Sequence, residues 1–337
     1  MNIRHELEGS HQPADRRFTA VERYSSVART VDILSDAWGF LVLRECFFGV
    51  RRFEQFQSHL QIPRKTLASR LTKLSELGVI KRVPIGEGLR RHEYRLTRMG
   101  GELYPTMLAL MGFGDKWLLD GRPKPLQLFH KVCAHLCEPK IACSQCQEEI
   151  DPTQVRFRDG PGAGVEDRQS ERKRTRRTSD PQLLERGRPC SVARILQVIG
   201  DRWAFLIIRE FFFGVRRFDE FQERLGIAPN ILSDRLGRLH DTAFIDKNMY
   251  QQNPPRYEYR LSTKGRDLYG AMLVMMYWGD QWFFNGLPPV RLRHQVCGQD
   301  FHAEVVCSAC GQPLKPGDMN YSLSYRMPGD TQQTTLS

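Results

Sequence analysis

The heptapeptide FFGVRRF occurs twice in this chain, at Phe47–Phe53 and again at Phe212–Phe218. When the chain is aligned with itself at this offset, Ser25–Leu119 matches Cys190–Phe284 without a gap, and 40 of the 95 aligned positions are identical. The period is far longer than the roughly 20–50 residues of solenoid repeats. The sequence therefore predicts one domain that is duplicated in tandem.

Length and composition agree with this prediction and exclude some protein classes. The chain has 337 residues, enough for two domains of roughly 150 residues. Its apolar runs are far shorter than the ~20 residues that span a bilayer, and its N-terminus lacks the apolar core of a secretion signal. We expect a cytoplasmic protein without a membrane partner. In a reducing compartment, its nine cysteines are better read as metal ligands or reactive thiols than as disulfides.

The second copy shows the local structure most clearly. Apolar residues at three- and four-residue spacing predict one helix over Ser191–Phe213, which Gly214 ends. Further helices are predicted to begin near Phe218 and Asn230, two strands near Phe244–Met249 and Tyr257–Ser262, and a closing helix over Gly265–Phe284. A helix-turn-helix followed by a β-hairpin is a winged helix.

The predicted fold class is α+β, mainly α, with two winged helix-turn-helix domains that are each followed by a small Cys/His β-extension. The expected boundaries are 24–122 for the first domain, 123–162 for its extension, 163–189 for a flexible basic linker, 190–287 for the second domain, 288–326 for its extension and 327–337 for a tail.

The second copy resembles a known family over Cys190–Gly286. The residues that carry the resemblance are CSVAR at Cys190–Arg194, GDRW at Gly200–Trp203, RRFDEFQ at Arg216–Gln222, LGIAPNILSDRL at Leu225–Leu236 and PPRYEYRLSTKG at Pro254–Gly265. They resemble the HxlR-type winged-helix transcriptional regulators of bacteria, and the first copy is a weaker match over about Ser25–Gly121. The resemblance implies two domains able to pair within the chain, DNA as the partner, and a bacterial, nucleoid-associated protein.

The repeated heptapeptide is predicted to contact the phosphate backbone of DNA. Its phenylalanines belong to the core, its glycine turns the chain, and its arginine pair enters the next helix, whose N-terminus favours phosphate. The alternative is a solvated charged face. The candidate DNA-binding residues of the first copy are Arg51, Arg52, Arg64, Lys65, Thr66, Ser69, Lys73, Arg82, Arg90 and Arg91. Those of the second copy are Arg216, Arg217, Asn230, Ser233, Asp234, Arg238, Lys247 and Arg256.

The two copies differ in charge where they are expected to face DNA. Arg51–Arg98 has 12 basic and 4 acidic residues, a net charge of +8, whereas Arg216–Thr263 has 8 and 7, a net charge of +1. The predicted recognition helices, Lys65–Leu77 and Asn230–His240, also carry different exposed side chains. We expect two unlike half-sites, although drift at unconstrained surface positions is an alternative.

The cysteines form a second repeated pattern. His130, Cys133, Cys143 and Cys146 recur with the same spacing as His294, Cys297, Cys307 and Cys310. Three cysteines and one histidine can close a tetrahedral site, so each set predicts one structural zinc ion, up to two per chain; free thiols are the alternative. Cys137 has no counterpart and is left out. Cys190 begins the second domain where some family members carry a redox-sensing cysteine, so we treat it as a candidate redox sensor, with a structural cysteine as the alternative.

The function predicted from these features is a sequence-specific DNA-binding regulator, a repressor, that binds a pseudo-palindromic operator as an intramolecular pseudo-dimer and can form homo-oligomers. No nucleophile with a paired base and no phosphate-binding glycine loop is found, so the chain is not expected to be an enzyme. Two alternatives are a zinc-ribbon interaction module without sequence-specific DNA binding and a zinc-dependent enzyme that acts on nucleic acid. Salt-dependent binding to duplex DNA separates the first alternative from the regulator.

Overall fold

The structure is a computed structural model that describes residues 21–34, 36–86, 91–167 and 184–325. In the first copy, the described elements are β1 (Val21–Arg23), α1 (Ser26–Leu34), α2 (Ala37–Phe47), α3 (Phe53–Leu60), α4 (Arg64–Glu76), β2 (Ile80–Pro84), β3 (His92–Leu96), α5 (Arg98–Gly101) and α6 (Tyr104–Trp117). The extension after it contains β4 (Leu126–His130), β5 (His135–Cys137), β6 (Pro139–Cys143) and β7 (Val155–Asp159), and β8 (Val165–Asp167) follows.

The second copy repeats this order. Its helices and strands are α7 (Ser191–Ile199), α8 (Arg202–Phe212), α9 (Phe218–Leu225), α10 (Pro229–Asp241), β9 (Ile245–Gln251), β10 (Arg256–Leu261) and α11 (Thr263–Phe283). Its extension contains β11 (Val290–His294), β12 (Gln299–Phe301), β13 (Ala303–Cys307) and β14 (Met319–Leu323). The predicted class, two winged helix-turn-helix domains with β-extensions, is confirmed.

The single helix predicted over Ser191–Phe213 is wrong, because the chain forms two helices there. Asp201 begins the second of them: its carboxylate accepts hydrogen bonds from the backbone N–H groups of Trp203 and Ala204 at 3.0 and 3.1 Å. Such N-capping starts a new helix and outweighs the apolar spacing. Asp201 also forms an ion pair with Arg235 of α10, with Oδ2 and Nε 2.8 Å apart, so the break positions the recognition helix. Asp36 and Arg70 form the same ion pair in the first copy.

Each helix-turn-helix is held by leucines on the inner face of its second helix. The inward positions predicted for α4 and α10 are all buried: Leu67, Leu71, Leu74, Leu232, Leu236 and Leu239. Between α9 and α10, Gly226 adopts a left-handed conformation with φ of 55°, a conformation that costs glycine little. The wings are the antiparallel hairpins β2–β3 and β9–β10.

The two copies pack on each other through their first and last helices. Helix α1 lies against α11, and α7 lies against α6. The Ser26 hydroxyl donates to the Asp280 carboxylate at 2.5 Å, and Ser191 donates in the same way to Asp115. Close approach depends on glycine in the shared Gly-Asp pair, because a Cβ at Gly279 would lie 2.5 Å from the Ser26 carbonyl oxygen. The contact is thus made twice, once by each copy, as in a two-fold interface.

Burial at this interface gives the unfolding free energy a defined pH dependence. Burial raises the pKa of Asp280 to about 7, although the Ser26 hydrogen bond opposes this shift. An unfolded aspartate ionises near pH 4, so the folded state holds an extra proton between about pH 4 and pH 7. Stability should therefore fall as pH rises through this window, by up to about 4 kcal/mol, and should be independent of this group above it. Asp280→Asn should remove this part of the pH profile.

Chemical denaturation of the parent and Asp280→Asn from pH 4.5 to pH 8 checks this expectation. The stability of the variant relative to the parent should increase with pH up to about pH 7 and then stay constant. A difference between the two proteins that does not change with pH would show that Asp280 ionises normally in the folded chain.

The extensions exchange strands between the copies. Strand β7 of the first extension pairs with β11 of the second, and β14 pairs with β4 in the equivalent way. Strands β6 and β13 pair antiparallel about Ile141 and Val305, which are themselves equivalent positions. Each three-stranded sheet therefore contains strands from both copies.

The predicted linker, 163–189, has structure at both of its described ends. Strand β8 pairs antiparallel with β1, and Leu184 and Arg188 are both buried. The expectation that the whole segment is flexible is therefore wrong at these ends. Residues 168–183 and the predicted tail lie outside the described part of the chain. Within the described ranges, no helix is long and apolar enough to cross a membrane.

Candidate metal centres and nucleic-acid interface

Eight cysteine and histidine side chains meet at two points between the extensions. Metal site A contains His130, Cys133, Cys307 and Cys310, and metal site B contains Cys143, Cys146, His294 and Cys297. Within each site all ligand atoms lie within 4.8 Å of one another. The H-x-x-C pair of each site comes from one copy and the C-x-x-C pair from the other.

The grouping predicted from the sequence, one site within each extension, is therefore wrong, although the eight residues are the predicted ones. Strand exchange is the physical reason. Strand β4 leads into His130 and Cys133, and it pairs with β5 of its own copy on one side and with β14 of the other copy on the other side. The pairing of β6 with β13 then carries each C-x-x-C turn across to the other copy's H-x-x-C turn.

The distances within both sites fit a tetrahedral zinc ion. With Zn–S of about 2.3 Å and Zn–N of about 2.05 Å, sulfur atoms lie about 3.8 Å apart and sulfur and nitrogen about 3.6 Å apart. In metal site A, the Sγ atoms of Cys133 and Cys307 are 3.8 Å apart, and His130 Nδ1 lies 3.4 Å from Cys133 and from Cys310.

Metal site B repeats this geometry. The Sγ atoms of Cys143 and Cys297 are 4.0 Å apart. The Nδ1 atom of His294 lies 3.3 Å from Cys146 Sγ and 3.7 Å from Cys297 Sγ. Both histidines are almost fully buried, at 1% and 0% exposure. A donor set of three thiols and one imidazole matches the chemistry of a metal ion, and a partner for the buried histidine of each site offsets the cost of burying a polar group.

The backbone turns prepare the thiols for a metal. The N–H of Gln145 points at Cys143 Sγ and that of Ala309 at Cys307 Sγ, both at 3.4 Å. Each C-x-x-C turn closes with a residue of positive φ, Gln147 at 63° and Gly311 at 71°. The same local structure therefore recurs in both copies, and only the pairing of the turns crosses between them.

The predicted DNA-facing side chains lie on the exposed faces of the two helix-turn-helix units and their wings. The exposed ones are Arg51, Arg52, Arg64, Lys65, Ser69, Lys73, Arg82, Arg91, Arg217, Asn230, Ser233, Asp234, Lys247 and Arg256. Thr66, Arg216 and Arg238 are half-buried, and Arg90 lies outside the described residues. Their contact with DNA stays a prediction.

Within the repeated heptapeptides, the two arginines of the second copy behave differently. Arg216 donates to the carbonyl oxygens of Phe211 and Val215, both at 2.7 Å, and so caps the end of α8. Burial lowers the pKa of Arg216, and the nearby Arg260 adds to this shift. Arg217 is exposed and lies over the ring of Tyr250 at 5.0 Å. Of this pair, Arg217 is the better placed to reach a phosphate.

Comparison with known proteins identifies the repeated unit. The family model described as "HxlR-like helix-turn-helix" matches residues 33–121 and again residues 198–286. The chain belongs to the HxlR-like helix-turn-helix family. Because the same family model matches two successive segments, the tandem duplication predicted from the sequence is also confirmed.

Relatives of this HxlR-like chain are named as transcriptional regulators. An uncharacterised HTH-type transcriptional regulator of Mycobacterium tuberculosis is 44% identical over 137 residues, which cover 41% of this chain and 87% of the relative. One from Synechocystis is 30% identical over 109 residues, 32% of this chain and 80% of the relative. A solved structure, the reduced form of the transcriptional regulator YodB from Bacillus subtilis, is 28% identical and covers 27% of this chain and 90% of that chain, with a TM-score of 0.25.

Cys190 lies at the N-cap of α7 in this HxlR-like chain, where it is 8% exposed. Its thiol stands beside the Arg44 guanidinium of the first copy. The equivalent residue in the other copy is Ser25, whose hydroxyl accepts a hydrogen bond from Arg209 at 3.0 Å. A role for Cys190 in redox sensing stays a prediction, since a buried position and a structural contact fit the alternative equally.

Proposed function

We propose that the chain is a transcriptional repressor that binds one pseudo-palindromic operator with its two helix-turn-helix units. The single observation that supports this most is the pairing of two HxlR-like units within one chain, with an exposed recognition helix and wing on each. In a helix-turn-helix protein, two such helices read half-sites on one face of the duplex. Such a regulator would act on chromosomal DNA in the bacterial cytoplasm.

The two half-sites of this operator are proposed to differ. Exposed positions of α4 carry Lys65 and Ser69, and the equivalent positions of α10 carry Asn230 and Asp234. Lysine and asparagine differ in the base edges that they recognise in the major groove. Asp234 forms an ion pair with its neighbour Arg235. Its carboxylate can therefore accept hydrogen bonds from Arg235 as well as from a DNA base.

We further propose that each metal site holds a structural zinc ion. Four protein ligands leave no open position, so the metal would stabilise the fold and take no part in a reaction. The crossed ligand sets would then fix the two copies to each other, and with them the spacing of the recognition helices.

Because of the charge difference between the copies, the first copy is proposed to supply most of the non-specific affinity for DNA and the second copy most of the preference for operator. Mutagenesis can test this. Arg82→Ala with Arg91→Ala should weaken binding to operator and random duplex alike, because wing arginines neutralise phosphates. Loss of two phosphate contacts should make the salt dependence shallower by about 2 in logarithmic slope. Asn230→Ala with Ser233→Ala should instead reduce mainly the preference for operator over random duplex.

Fluorescence anisotropy with operator and random duplexes at several salt concentrations gives both quantities. Glu148→Ala, an exposed change in the first extension, serves as a control that should leave both unchanged. If the Arg82 and Arg91 variant keeps its affinity for random duplex and its salt slope, the first wing does not contact DNA. If the parent binds no duplex at low salt, the proposed function is wrong.

A further inference from the structure

A fifth cysteine lies beside metal site A without belonging to its ligand set. Cys137 is the last residue of β5 and is 5% exposed. Its thiol lies next to the thiol of Cys307, a ligand of metal site A at the end of β13. The following residues hold the two strands together, because the Ser308 N–H donates to the Glu138 carbonyl oxygen at 3.2 Å and the Glu138 N–H to Ser308 Oγ at 3.0 Å. Cys137 and Cys307 are therefore neighbouring thiols from different copies.

Metal site B has a different side chain at the equivalent position. Phe301 takes the place of Cys137 there, and its ring lies 5.4 Å from the ring of His294. The two sites otherwise have the same ligand types and the same C-x-x-C turns. Among the cysteines that the structure describes, the thiol beside a complete ligand set is thus a feature of metal site A, and metal site B serves as its reference.

The two neighbouring thiols differ in chemistry. A cysteine that binds a metal ion does so as the thiolate, which is also the nucleophilic form. Cys137 lies outside the ligand set and is buried, so it keeps its proton at neutral pH. Oxidation of a thiolate gives a sulfenic acid, which condenses with a nearby thiol to form a disulfide. Cys307 and Cys137 supply these two partners side by side, and both are free thiols in the structure.

A small oxidant can approach this pair from two sides. Cys310, another ligand of metal site A, is exposed. On the other side lies a cavity of about 80 Å³ whose wall includes Tyr104 and Leu128. Leu128 is directly opposite Cys137 in the β4–β5 pair, and Tyr104 is close enough to interact electrostatically with Cys137. A cavity of this volume holds only a few molecules of the size of water. Hydrogen peroxide is uncharged and small enough to enter it.

We propose that hydrogen peroxide converts Cys137 and Cys307 into a disulfide and so releases the metal ion from metal site A. The Cys307 sulfur attacks one peroxide oxygen, the O–O bond breaks, and hydroxide leaves behind a sulfenic acid. The Cys137 sulfur then attacks the Cys307 sulfur and the S–O bond breaks. The departing hydroxyl takes the proton of Cys137 and leaves as water. The two sulfurs together lose two electrons, and the peroxide gains them.

The disulfide would weaken one of the two metal links between the copies. It removes Cys307 from metal site A, which keeps only three ligands, whereas metal site B keeps all four. Zinc as the metal and an effect on DNA both rest on the proposed function. With one link lost, the spacing of the recognition helices is less fixed, so the affinity for operator should fall on oxidation.

Zinc release from the full, zinc-loaded chain under hydrogen peroxide tests the site, followed with a colorimetric chelator and by mass-spectrometric mapping of disulfides. The parent should release one zinc ion per chain and form the Cys137–Cys307 disulfide, and a reductant with added zinc should reverse both changes. Cys137→Ser should lose this release. Phe301→Cys places a thiol beside metal site B and should raise the release to two zinc ions. Cys190→Ser, a change outside both metal sites, should behave like the parent.

Two results would overturn the site: release of zinc from Cys137→Ser as fast as from the parent, or a disulfide in the oxidised parent that joins Cys307 to Cys310 instead. If the parent carries no zinc, the proposed metal is wrong, and the disulfide map still decides whether Cys137 and Cys307 pair. Operator affinity before and after oxidation is measured separately. An unchanged affinity contradicts the regulatory step alone, and a reduced chain that binds no duplex contradicts the proposed function.

Discussion

Removal of metal from this chain is expected to lower its thermal midpoint by about 10 °C or more. Structural zinc sites in small peptides contribute apparent binding free energies of about 10–16 kcal/mol at neutral pH, and that energy is folding energy. Here each site joins an H-x-x-C turn of one copy to a C-x-x-C turn of the other. Even a loss of several kcal/mol shifts the midpoint of a chain of this size by this amount.

Scanning fluorimetry under reducing conditions, with and without a zinc chelator, measures this shift. Added zinc should restore the original midpoint. Cys46→Ser removes a partly buried cysteine of α2 outside both metal sites, so this variant should retain its metal and respond to the chelator like the parent. A chain whose midpoint is unchanged by the chelator would show that the eight ligands are free thiols and imidazoles.

The second large effect is expected at the glycines of the interface between the copies. A Cβ at Gly114 would lie 2.4 Å from the Ser191 carbonyl oxygen, whereas a Cβ at Gly112 on the same helix would meet only the Pro139 carbonyl oxygen at 3.7 Å. Gly114→Ala should therefore destabilise the chain by about 1–3 kcal/mol, because α7 must move away. Gly112→Ala should stabilise it by about 0.5–1 kcal/mol, through helix propensity alone.

Combining Gly114→Ala with Gly279→Ala opens both halves of the interface and should roughly double the loss. Denaturant unfolding compares these variants with the parent, and duplex binding shows whether the recognition helices keep their spacing. The pairing of α6 with α7 and of α1 with α11 is contradicted if Gly114→Ala and Gly112→Ala change stability by the same amount.

The sequence predicted what depends on local pattern. The buried leucines of α4 and α10, the wings and the duplicated unit follow from periodicity and from the repeat itself. The break between α7 and α8 does have a local sequence signal, since Gly200 is the C-cap of α7 and Asp201 is the N-cap of α8. The continuous apolar spacing across both helices obscures this signal. Taken together, a glycine C-cap followed by an aspartate N-cap predicts two helices rather than one.

The crossed metal sites could not be predicted from spacing. His130, Cys133, Cys143 and Cys146 satisfy the ligand pattern of one local site, and nothing in their order shows which partner strand they meet. Strand pairing across the two copies decides this, and β-pairing between distant segments is set by tertiary contacts rather than by local pattern.

The zinc content of two variants shows whether both metal sites are shared between the copies. One variant replaces all of metal site A, with His130→Ala, Cys133→Ser, Cys307→Ser and Cys310→Ser. The other replaces the four ligands of the first extension, with His130→Ala, Cys133→Ser, Cys143→Ser and Cys146→Ser. Elemental analysis of the dialysed parent should give two zinc ions per chain. Crossed sites predict one zinc ion in the first variant and none in the second. No zinc in the first variant and one zinc ion in the second would show instead that each extension binds its own zinc ion.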